Sequence, residues 1–445
     1  MEGACSIAAE VVGREHTLPP RQNPTELRRG LEIELDGDGH SLDVVLDRLR
    51  RVMLMTPSSA SPDYLNQLFG GREPLAAAAE MLTAVTNTSM YTFKVAAPHI
   101  LVEQEVLGRM MRIAGFDGGD GMFTPGGSMA NLAAALVARN EKLPAVRDRG
   151  MAGFSPTLYT SAEGHYSIRK NAGILGVGRR HARDVPTDSA GRMDVAALDR
   201  MVRSDLETGL TPLLVNATAG TTVLGAFDPI REIAAVAEEH GLWLHVDGAF
   251  GATALLSTEH RGLLDGLELA HSLSWDAHKM MGIPLSCSVV LFRRPGVLTA
   301  HLDESADYLF QADSDELNPG RRSLQCGRRN DALKLWAAWQ HLGDQGWDRR
   351  VRRQFALAAY AAGRIEADPD LLLAAVPQSI NVCFEVVVKP SAETCRLLDD
   401  QASLKIGHGT GNGREVIRMV CVNPDLDEDR IDRVLSVVKA AAARL

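Results

Sequence analysis

Between about residues 60 and 300, apolar runs of strand length alternate with amphipathic stretches of helical period. In the clearest unit, the apolar run Thr211–Ala217 precedes a glycine-rich loop, and a helical pattern begins directly after Asp228 and Pro229. The run LWLHVDG then has the composition of a second buried strand. This order predicts a right-handed crossover and a parallel sheet with helices on both faces. Two further strands are predicted at HSLSW and SCSVVLFRR.

The pattern changes towards both ends of the chain. Beyond about residue 330, the helix DALKLWAAWQHLG leads into a long helix around Val351–Glu366, and the short strands INVCFEVVV and VIRMVCV precede a final helix. This order predicts a smaller α+β domain. The first 50 residues are polar and charged and predict an arm with a helix near Asp43–Met55. We therefore predict an N-terminal arm and helix over residues 1–60, a large domain over 61–340 and a small C-terminal domain over 341–445.

Composition narrows the class of protein. Hydrophobic residues make up 45% and charged residues 23% of the 445, the balance of a soluble globular chain. The formal net charge of −10 argues against a nucleic-acid or anionic-membrane partner. No apolar run is long enough to span a bilayer, and the first residues lack the pattern of a secretion signal. The six cysteines form no CxxC pair, which predicts reduced thiols and a cytoplasmic location.

Two candidate catalytic residues follow predicted strands. Lys279 lies in the segment SWDAHK, and Asp247 ends the LWLHV strand. Alone, the lysine is more often a solvated surface residue and the aspartate a helix cap. Together they match the needs of pyridoxal phosphate, whose aldehyde carbon binds a lysine amine and whose pyridine nitrogen stays protonated beside a carboxylate.

Two more segments bring polar groups to the same edge of the predicted sheet. Gly126, Gly127 and Ser128 precede an alanine-rich helix, whose first N–H groups and dipole favour an anion such as the cofactor phosphate. His165 lies between a strand end and a helix start, where α/β proteins gather ligands, so its imidazole could stack on a flat ring. The ordinary alternatives are a plain helix cap and a structural histidine.

Many segments, in order along the chain, resemble one known family. They include NQLFGG, NTSMYTF, FTPGGSMANL, SAEGHYSIRKNAG, VNATAGTTVLGAFDPI, LWLHVDGAFG, SWDAHKMMG and QCGRRNDALKLW. The sequence resembles the group II decarboxylases that depend on pyridoxal phosphate, and within them the glutamate and cysteine sulfinate decarboxylase branch. The resemblance implies fold type I, with a large, mostly parallel-sheet domain and a small C-terminal α+β domain. It also implies a homodimer whose active sites are shared between the chains.

The resemblance implies a role for each matching cofactor residue. Lys279 would hold the cofactor, and Asp247 would pair with its pyridine nitrogen. His165 would stack on one face of the ring, with Ala249 against the other. The further positions that match cofactor contacts are Gly127, Ser128, Thr218 and His278. No metal is expected.

The substrate residues follow from the same resemblance. Arg418 matches the arginine that binds the substrate α-carboxylate, a task that suits a guanidinium fork. Gln67, Phe69, Ser89 and Tyr91 match positions of the side-chain pocket, where glutamate decarboxylases typically have NQLS and NTNMF. Here the segments are NQLF and NTSMY, and a phenylalanine shortens the pocket. We therefore expect decarboxylation of a short acidic amino acid to a primary amine and carbon dioxide. Candidates are cysteine sulfinate, aspartate, cysteate and an analogue such as phosphonoalanine.

The sequence departs from the family pattern in three places. The stretch Gln311–Gln325 has no tyrosine, although relatives carry one on a mobile loop that returns a proton to Cα. Gly248 and Phe250 replace the usual alanine and tryptophan, which suggests more room near the ring. Asp276 stands where relatives commonly have asparagine, so it could oppose the cofactor phosphate. A glutamate decarboxylase, oxidative deamination or transamination after decarboxylation, and a non-catalytic binding role remain alternatives.

Overall fold

A computed structural model describes residues 2–14, 18–35, 37–304, 306, 308–310 and 315–445. The α-helices are α1 Glu2–Gly13, α2 Pro24–Leu31, α3 Leu42–Met55, α4 Pro74–Thr86, α5 Phe93–Ala96, α6 Pro98–Ala114, α7 Gly127–Lys142, α8 Val146–Arg149, α9 Ser167–Ile174, α10 Val195–Glu207, α11 Ile230–Glu239, α12 Val297–Leu302, α13 Ala332–Glu366, α14 Ser391–Asp400 and α15 Glu428–Ala442. The strands are β1 Asp120–Thr124, β2 Pro156–Ser161, β3 Ala182–Val185, β4 Thr211–Thr218, β5 Trp243–Asp247, β6 Ser272–Asp276, β7 Ser288–Phe292, β8 Leu371–Leu373, β9 Asn381–Val386, β10 Gly407–Gly411 and β11 Arg414–Val420.

The larger sheet is mostly parallel. Its strand order is β1-β7-β6-β5-β4-β2-β3, and β7 pairs antiparallel with both β1 and β6. The pairs of β4 with β5 and of β5 with β6 are parallel, and every residue of β5 and β6 is buried. Burial on both faces explains why these strands are apolar without alternation. The predicted unit of strand, helix and strand is confirmed as β4, α11 and β5.

A second, smaller sheet lies in the C-terminal part of the chain. Its order is β10-β11-β9-β8, and all its pairs are antiparallel. Helices α14 and α15 and the second half of α13 share an apolar core with this sheet. The α13 helix is interrupted at Gly343, whose φ of 59° lies in the left-handed region and separates the two predicted helices. The predicted α/β class, with a large mostly parallel sheet and a smaller α+β part, is confirmed.

Several local expectations differ from the structure. The predicted helix near Asp43–Met55 is α3, but residues expected to form an arm contain two further helices, α1 and α2. The glycine-rich segment Gly407–Gly413, which the sequence suggests is a flexible turn, is the edge strand β10 and its hairpin turn. The boundaries at residues 60 and 340 stay a prediction. Among the described residues, no helix combines the length and apolarity needed to cross a bilayer.

Candidate active site

The parallel strands of the larger sheet end around a cavity of about 300 Å³. Strand β4 ends at Thr218, β5 at Asp247 and β6 at Asp276, and all three residues line the cavity. This is the edge where open α/β sheets bind ligands. Every residue predicted to contact the cofactor lines it as well. These residues are Gly127, Ser128, His165, Thr218, Asp247, Ala249, His278 and Lys279.

The Asp247 carboxylate is held by two donors. Its Oδ2 accepts a hydrogen bond of 2.8 Å from the side-chain amide of Asn131, and its Oδ1 accepts one of 3.2 Å from the Ala249 backbone N–H. The Asn131 carbonyl oxygen in turn accepts a hydrogen bond of 2.7 Å from the Ser274 hydroxyl and lies 3.0 Å from His245 Nε2. Because these contacts occupy the Asn131 oxygen, its NH₂ group must face Asp247, which fixes the direction of the carboxylate.

The buried histidine of this network is neutral. Burial lowers the pKa of His245 to about 4, and Asp247 only partly opposes that effect. Its Nε2 lies 3.0 Å from the Asn131 carbonyl oxygen, which can only accept, so the single ring proton is on Nε2 and Nδ1 accepts from the Ser272 hydroxyl at 2.9 Å. The network therefore orients Asp247 without adding a second charge beside it.

His165 lies at the mouth of the same cavity. Its Nδ1 accepts a hydrogen bond of 3.3 Å from the Ser167 backbone N–H, which leaves the proton of the neutral ring on Nε2. Burial lowers the pKa of His165, Asp247 opposes this, and Lys279 adds to it. The Tyr166 ring lies against His165, with centroids 4.2 Å apart. A neutral imidazole held in one orientation suits stacking on a flat heterocycle.

The first turn of α7 comes close to the floor of the cavity. A Cβ added to Gly127 would lie 2.7 Å from Asp276 Oδ2 and 3.0 Å from Ala249 Cβ, so only glycine fits there. The amides of Gly127 and Ser128 precede the first hydrogen-bonded turn, and such amides have no partner within their helix. Free amides and the positive end of the helix dipole favour an anion at this point.

Lys279 faces the carboxylate of Asp276. Its Nζ lies 3.2 Å from Asp276 Oδ2, and His278 Nε2 lies 3.6 Å from the same oxygen. The other oxygen, Oδ1, accepts a short hydrogen bond from the Ser288 hydroxyl. Asp276 is 1% exposed, whereas 21% of the Lys279 side chain is accessible. The Lys279 amine is therefore accessible from the cavity and is paired with the buried carboxylate of Asp276.

Arg418 approaches the cavity from the smaller sheet. Arg418 lies on β11. Its Nη1 donates a hydrogen bond of 2.7 Å to the Thr222 carbonyl, and its Nη2 donates one of 2.5 Å to the Asn66 carbonyl. Thr222 itself lines the cavity. The Arg418 Nε is buried and makes no hydrogen bond within the described residues. Burial lowers the pKa of Arg418, and a guanidinium still keeps its charge at neutral pH.

The other predicted substrate residues lie farther out. Gln67 is exposed, and Phe69 lines a second cavity of about 250 Å³ that shares His278 with the first. The Ser89 hydroxyl accepts a hydrogen bond of 3.1 Å from the Arg328 backbone N–H. Ser89 and Tyr91 are both half-buried and lie between α4 and α5. Neither Ser89 nor Tyr91 belongs to the described lining of these two cavities. One chain thus brings together the predicted cofactor residues but not the whole predicted substrate pocket.

The three departures from the family pattern have different outcomes. Gly248 does not enlarge the cavity, because a Cβ added there would lie 2.8 Å from Leu273 Cδ1 in the core; the expectation of more room at this position is wrong. Phe250 is buried and lines the cavity. Asp276 points towards the start of α7, where its Oδ2 would lie 2.7 Å from a Cβ on Gly127; that it opposes the cofactor phosphate stays a prediction. Of the loop that lacks a tyrosine, residues 311–314 lie outside the described residues.

Comparison with known proteins decides the family. The family model for the pyridoxal-dependent decarboxylase conserved domain matches residues 24–387. This chain belongs to that family. It is therefore an enzyme that uses pyridoxal phosphate to decarboxylate amino acids, which confirms the predicted family, cofactor and enzyme class.

Individual relatives agree with this assignment. The decarboxylase is 39% identical over 437 residues to cysteine sulfinic acid decarboxylase from Mus musculus, which covers 93% of this chain and 89% of that protein. It is 36% identical over 466 residues to acidic amino acid decarboxylase GADL1 from the same organism, covering 98% of this chain and 85% of that protein. The crystal structure of mouse CSAD has a TM-score of 0.94 at 35% identity and covers 100% of this chain and 99% of that chain. The predicted fold type I is confirmed.

The residues around the larger cavity fit pyridoxal phosphate. Lys279 offers an accessible amine, Asp247 an oriented carboxylate and Gly127 the first amides of α7, and all three residues line one cavity. These groups suit the aldehyde, the pyridine nitrogen and the phosphate of the cofactor. The misfit is local. Asp276 Oδ2 is buried, makes no hydrogen bond within the described residues and lies against the first residue of the anion site.

Sequence reasoning missed the residues that support Asp247. Asn131, Ser274 and His245 were not predicted, although all three are fully buried polar side chains. One signal was available: Asn131 is four residues after Gly127, which places both on the same face of a helix that starts at Gly127. The hydrogen bonds of Ser274 and His245 to Asn131 depend on long-range packing and leave no local pattern.

Proposed function

We propose that the decarboxylase acts on short acidic L-amino acids and releases carbon dioxide and a primary amine. One observation carries the proposal: Arg418, whose buried Nε has no hydrogen-bond partner within the described residues, donates to the carbonyl of Thr222, and Thr222 lines the cavity of Lys279 and Asp247. An amine that binds the cofactor and a guanidinium that binds the α-carboxylate are what decarboxylation of an amino acid requires.

Each residue has a proposed task. Lys279 binds the cofactor covalently, and Asp247 keeps the pyridine nitrogen protonated by placing an opposite charge beside it. His165 stacks on one face of the ring. When bound, pyridoxal phosphate supplies an electron-withdrawing ring that accepts the electron pair of the breaking bond. Arg418 would bind the substrate α-carboxylate and so would set the direction of the bond to be broken.

The remaining cofactor contacts are also proposals. The amides of Gly127 and Ser128 hold the phosphate at the start of α7, and His278 borders it. Thr218 borders the ring hydroxyl, and Ala249 lies against the ring face opposite His165. Gly127, Thr218, Ala249 and His278 are buried, which supports their tasks because removal from water strengthens each electrostatic contact.

The proposed substrate length rests on Phe69. This ring lines the second cavity next to His278 and lies 6.1 Å, centroid to centroid, from the Tyr64 ring. A phenylalanine at this point shortens the space for a substrate side chain, which disfavours glutamate. Cysteine sulfinate, aspartate, cysteate and phosphonoalanine remain candidates, and the names of the relatives above support an acidic substrate.

We also propose a homodimer. Helix α3 has no buried residue in the single chain, and apolar side chains recur on it every three or four residues. Helix α4 exposes a second apolar group near Ser89 and Tyr91. Burying these faces against a second copy would complete the substrate side of the pocket. The exposed apolar side chains on the two helices include Leu42, Val45, Leu49 and Val52 on α3, and Leu75, Met81, Leu82 and Val85 on α4.

A second candidate reaction is favoured by the tyrosine-free stretch Gln311–Gln325. Without that tyrosine, decarboxylation could end in oxidative deamination, with dioxygen as the oxidant and an aldehyde, ammonia and hydrogen peroxide as products. It could also end in transamination, which releases an aldehyde and leaves the amino group on the cofactor. For the location of the enzyme we propose the cytoplasm, supported by six cysteines that are all free thiols.

The experiment that tests the proposal is a substrate panel. The purified enzyme, loaded with pyridoxal phosphate, is incubated with each of the three-carbon acids and with glutamate, and products are identified by mass spectrometry. We expect a primary amine and carbon dioxide, with glutamate converted more slowly than at least one three-carbon acid. Preferential conversion of glutamate would reject the role of Phe69, and aldehyde with ammonia as main products would favour the second reaction.

A further inference from the structure

Asp276 is the charged residue among the departures from the family pattern, and it lines the cofactor cavity. Its carboxylate is 1% exposed, and its Oδ2 makes no hydrogen bond within the described residues. That oxygen lies 2.7 Å from the place of a Cβ on Gly127, the first residue of the proposed phosphate site. A carboxylate oxygen so placed meets whatever anion binds at the start of α7.

The cofactor-free enzyme balances this charge with Lys279. The distance from Lys279 Nζ to Asp276 Oδ2 is 3.2 Å, within the range of an ion pair. The same amine is the proposed attachment point of the cofactor. Its condensation with the aldehyde to a neutral imine would release water and the ammonium proton, in the wild type and in a variant of Asp276 alike, and would move the nitrogen towards the aldehyde carbon. Asp276 then loses its counter-ion just as a phosphate arrives beside it.

The surroundings offer few replacements for that counter-ion. His278 Nε2 lies 3.6 Å from Oδ2, but burial lowers the pKa of His278 and keeps the ring neutral. The Ser288 hydroxyl is engaged at Oδ1, and the Thr124 hydroxyl lies 3.1 Å behind it. The other titratable groups described around the site are His165, Tyr166 and Asp247 at the cavity and Glu80, Cys287, Asp331 and Lys334 behind His278.

We propose that Asp276 and the cofactor phosphate share one proton, so that binding of the cofactor takes up a proton that an asparagine at this position would not require. A phosphate monoester loses its second proton near pH 6, and two facing anions in a buried site cannot both stay ionised. A proton between the two groups turns the repulsion into a charge-assisted hydrogen bond. Retention of the cofactor then weakens as the pH rises.

The inference rests on the cofactor site proposed above and is tested by the affinity for the cofactor, without any turnover. Dissociation constants of pyridoxal phosphate are measured by absorbance titration from pH 6 to pH 9 for the wild type and Asp276→Asn. One extra proton taken up makes the wild-type constant rise about tenfold more per pH unit than that of the variant. We expect the variant to bind more tightly at pH 8.5, with the ratio shrinking towards pH 6. Isothermal titration in buffers of different ionisation enthalpy should count about one more proton taken up by the wild type.

A change in affinity in Asp276→Asn could come from the shared proton or from loss of the ion pair with Lys279. Titration with pyridoxal, which lacks the phosphate, separates the two causes. Both ligands use the amine, but only pyridoxal phosphate brings an anion to Asp276, so the variant should gain affinity for the phosphate form alone. Asp265→Asn, an exposed carboxylate paired with Arg231 on the surface, is the matched control and should follow the wild type. Equal pH slopes and proton counts in wild type and Asp276→Asn, or an equal gain for pyridoxal, would overturn the shared proton. Failure of the wild type to bind pyridoxal phosphate at all would instead reject the site.

Discussion

The two sides of the proposed active site are built on different kinds of structure. Asp247 and Lys279 follow neighbouring strands of one sheet, and Asp247 is fixed by hydrogen bonds that reach back to His245. Ser89 and Tyr91 lie on a short connection between α4 and α5, next to exposed apolar side chains. The predicted cofactor residues thus come together within one chain, whereas the predicted substrate residues lie on loops and, in our proposal, need a second copy. Cofactor affinity and substrate choice should therefore respond to different mutations.

The largest effect is expected at Lys279. Lys279→Ala removes the amine that binds the cofactor, so we expect borohydride to trap no cofactor on the protein and kcat/KM to fall about a thousandfold or more. Intact-mass measurement after reduction reads the trapped adduct. The matched control is Lys170→Ala on α9, an exposed lysine, which should keep both. An undiminished adduct in Lys279→Ala would move the attachment point to another residue.

Arg418 should separate the two sides. Arg418→Lys keeps a positive charge but loses the fork that binds a carboxylate at two points, so we expect kcat/KM to fall about a hundredfold. The dissociation constant of pyridoxal phosphate should stay within about twofold, since Arg418 belongs to the substrate side. Arg414→Lys, on the same strand but paired with Glu385, is the control. If cofactor affinity dropped as far as kcat/KM, the separation between the two sides would be wrong.

Acid should weaken the cofactor side through His245. Its pKa is about 4 in the folded enzyme and near 6.5 when unfolded, so the unfolded chain binds more protons between these values and stability falls as the pH falls. From pH 8 to pH 5 this group alone removes about 2 kcal/mol. Urea unfolding of cofactor-free protein should show that extra loss in the wild type and not in His245→Gln. An identical loss in both proteins would mean that His245 is already charged at neutral pH or does not titrate in this range.

The smallest effect is expected at Phe69. Phe69→Ser lengthens the space on the substrate side, so the ratio of kcat/KM for glutamate to that for cysteine sulfinate should rise about tenfold. Cofactor affinity should not change, because Phe69 lines only the second cavity. Tyr64→Phe, which removes a hydroxyl from the neighbouring ring, serves as control. An unchanged ratio would locate the determinant of substrate length elsewhere.

The sequence predicts the cofactor side of this enzyme better than its substrate side. Residues that follow apolar strands, such as Asp247 and Lys279, could be recognised because parallel strands deliver their ends to one edge. The direction of a side chain could not be read, and for this reason Gly248 was assigned to the cavity although its missing Cβ points into the core. Strand β10 was missed because glycine weakens the strand signal, and only its pairing with β11 reveals it. The exposed apolar face of α3 has meaning only beside a partner that the sequence does not describe.

Helix α7 has one more consequence. Gly127 borders the proposed phosphate position, and Asn131, one turn later, grips the carboxylate assigned to the pyridine nitrogen. The groups proposed to hold the two ends of the cofactor therefore depend on one helix, and a change in the tilt of that helix would displace both of them. The nitrogen-15 chemical shift of a labelled pyridine ring should therefore respond to substitutions around the proposed phosphate position, at the other end of the cofactor.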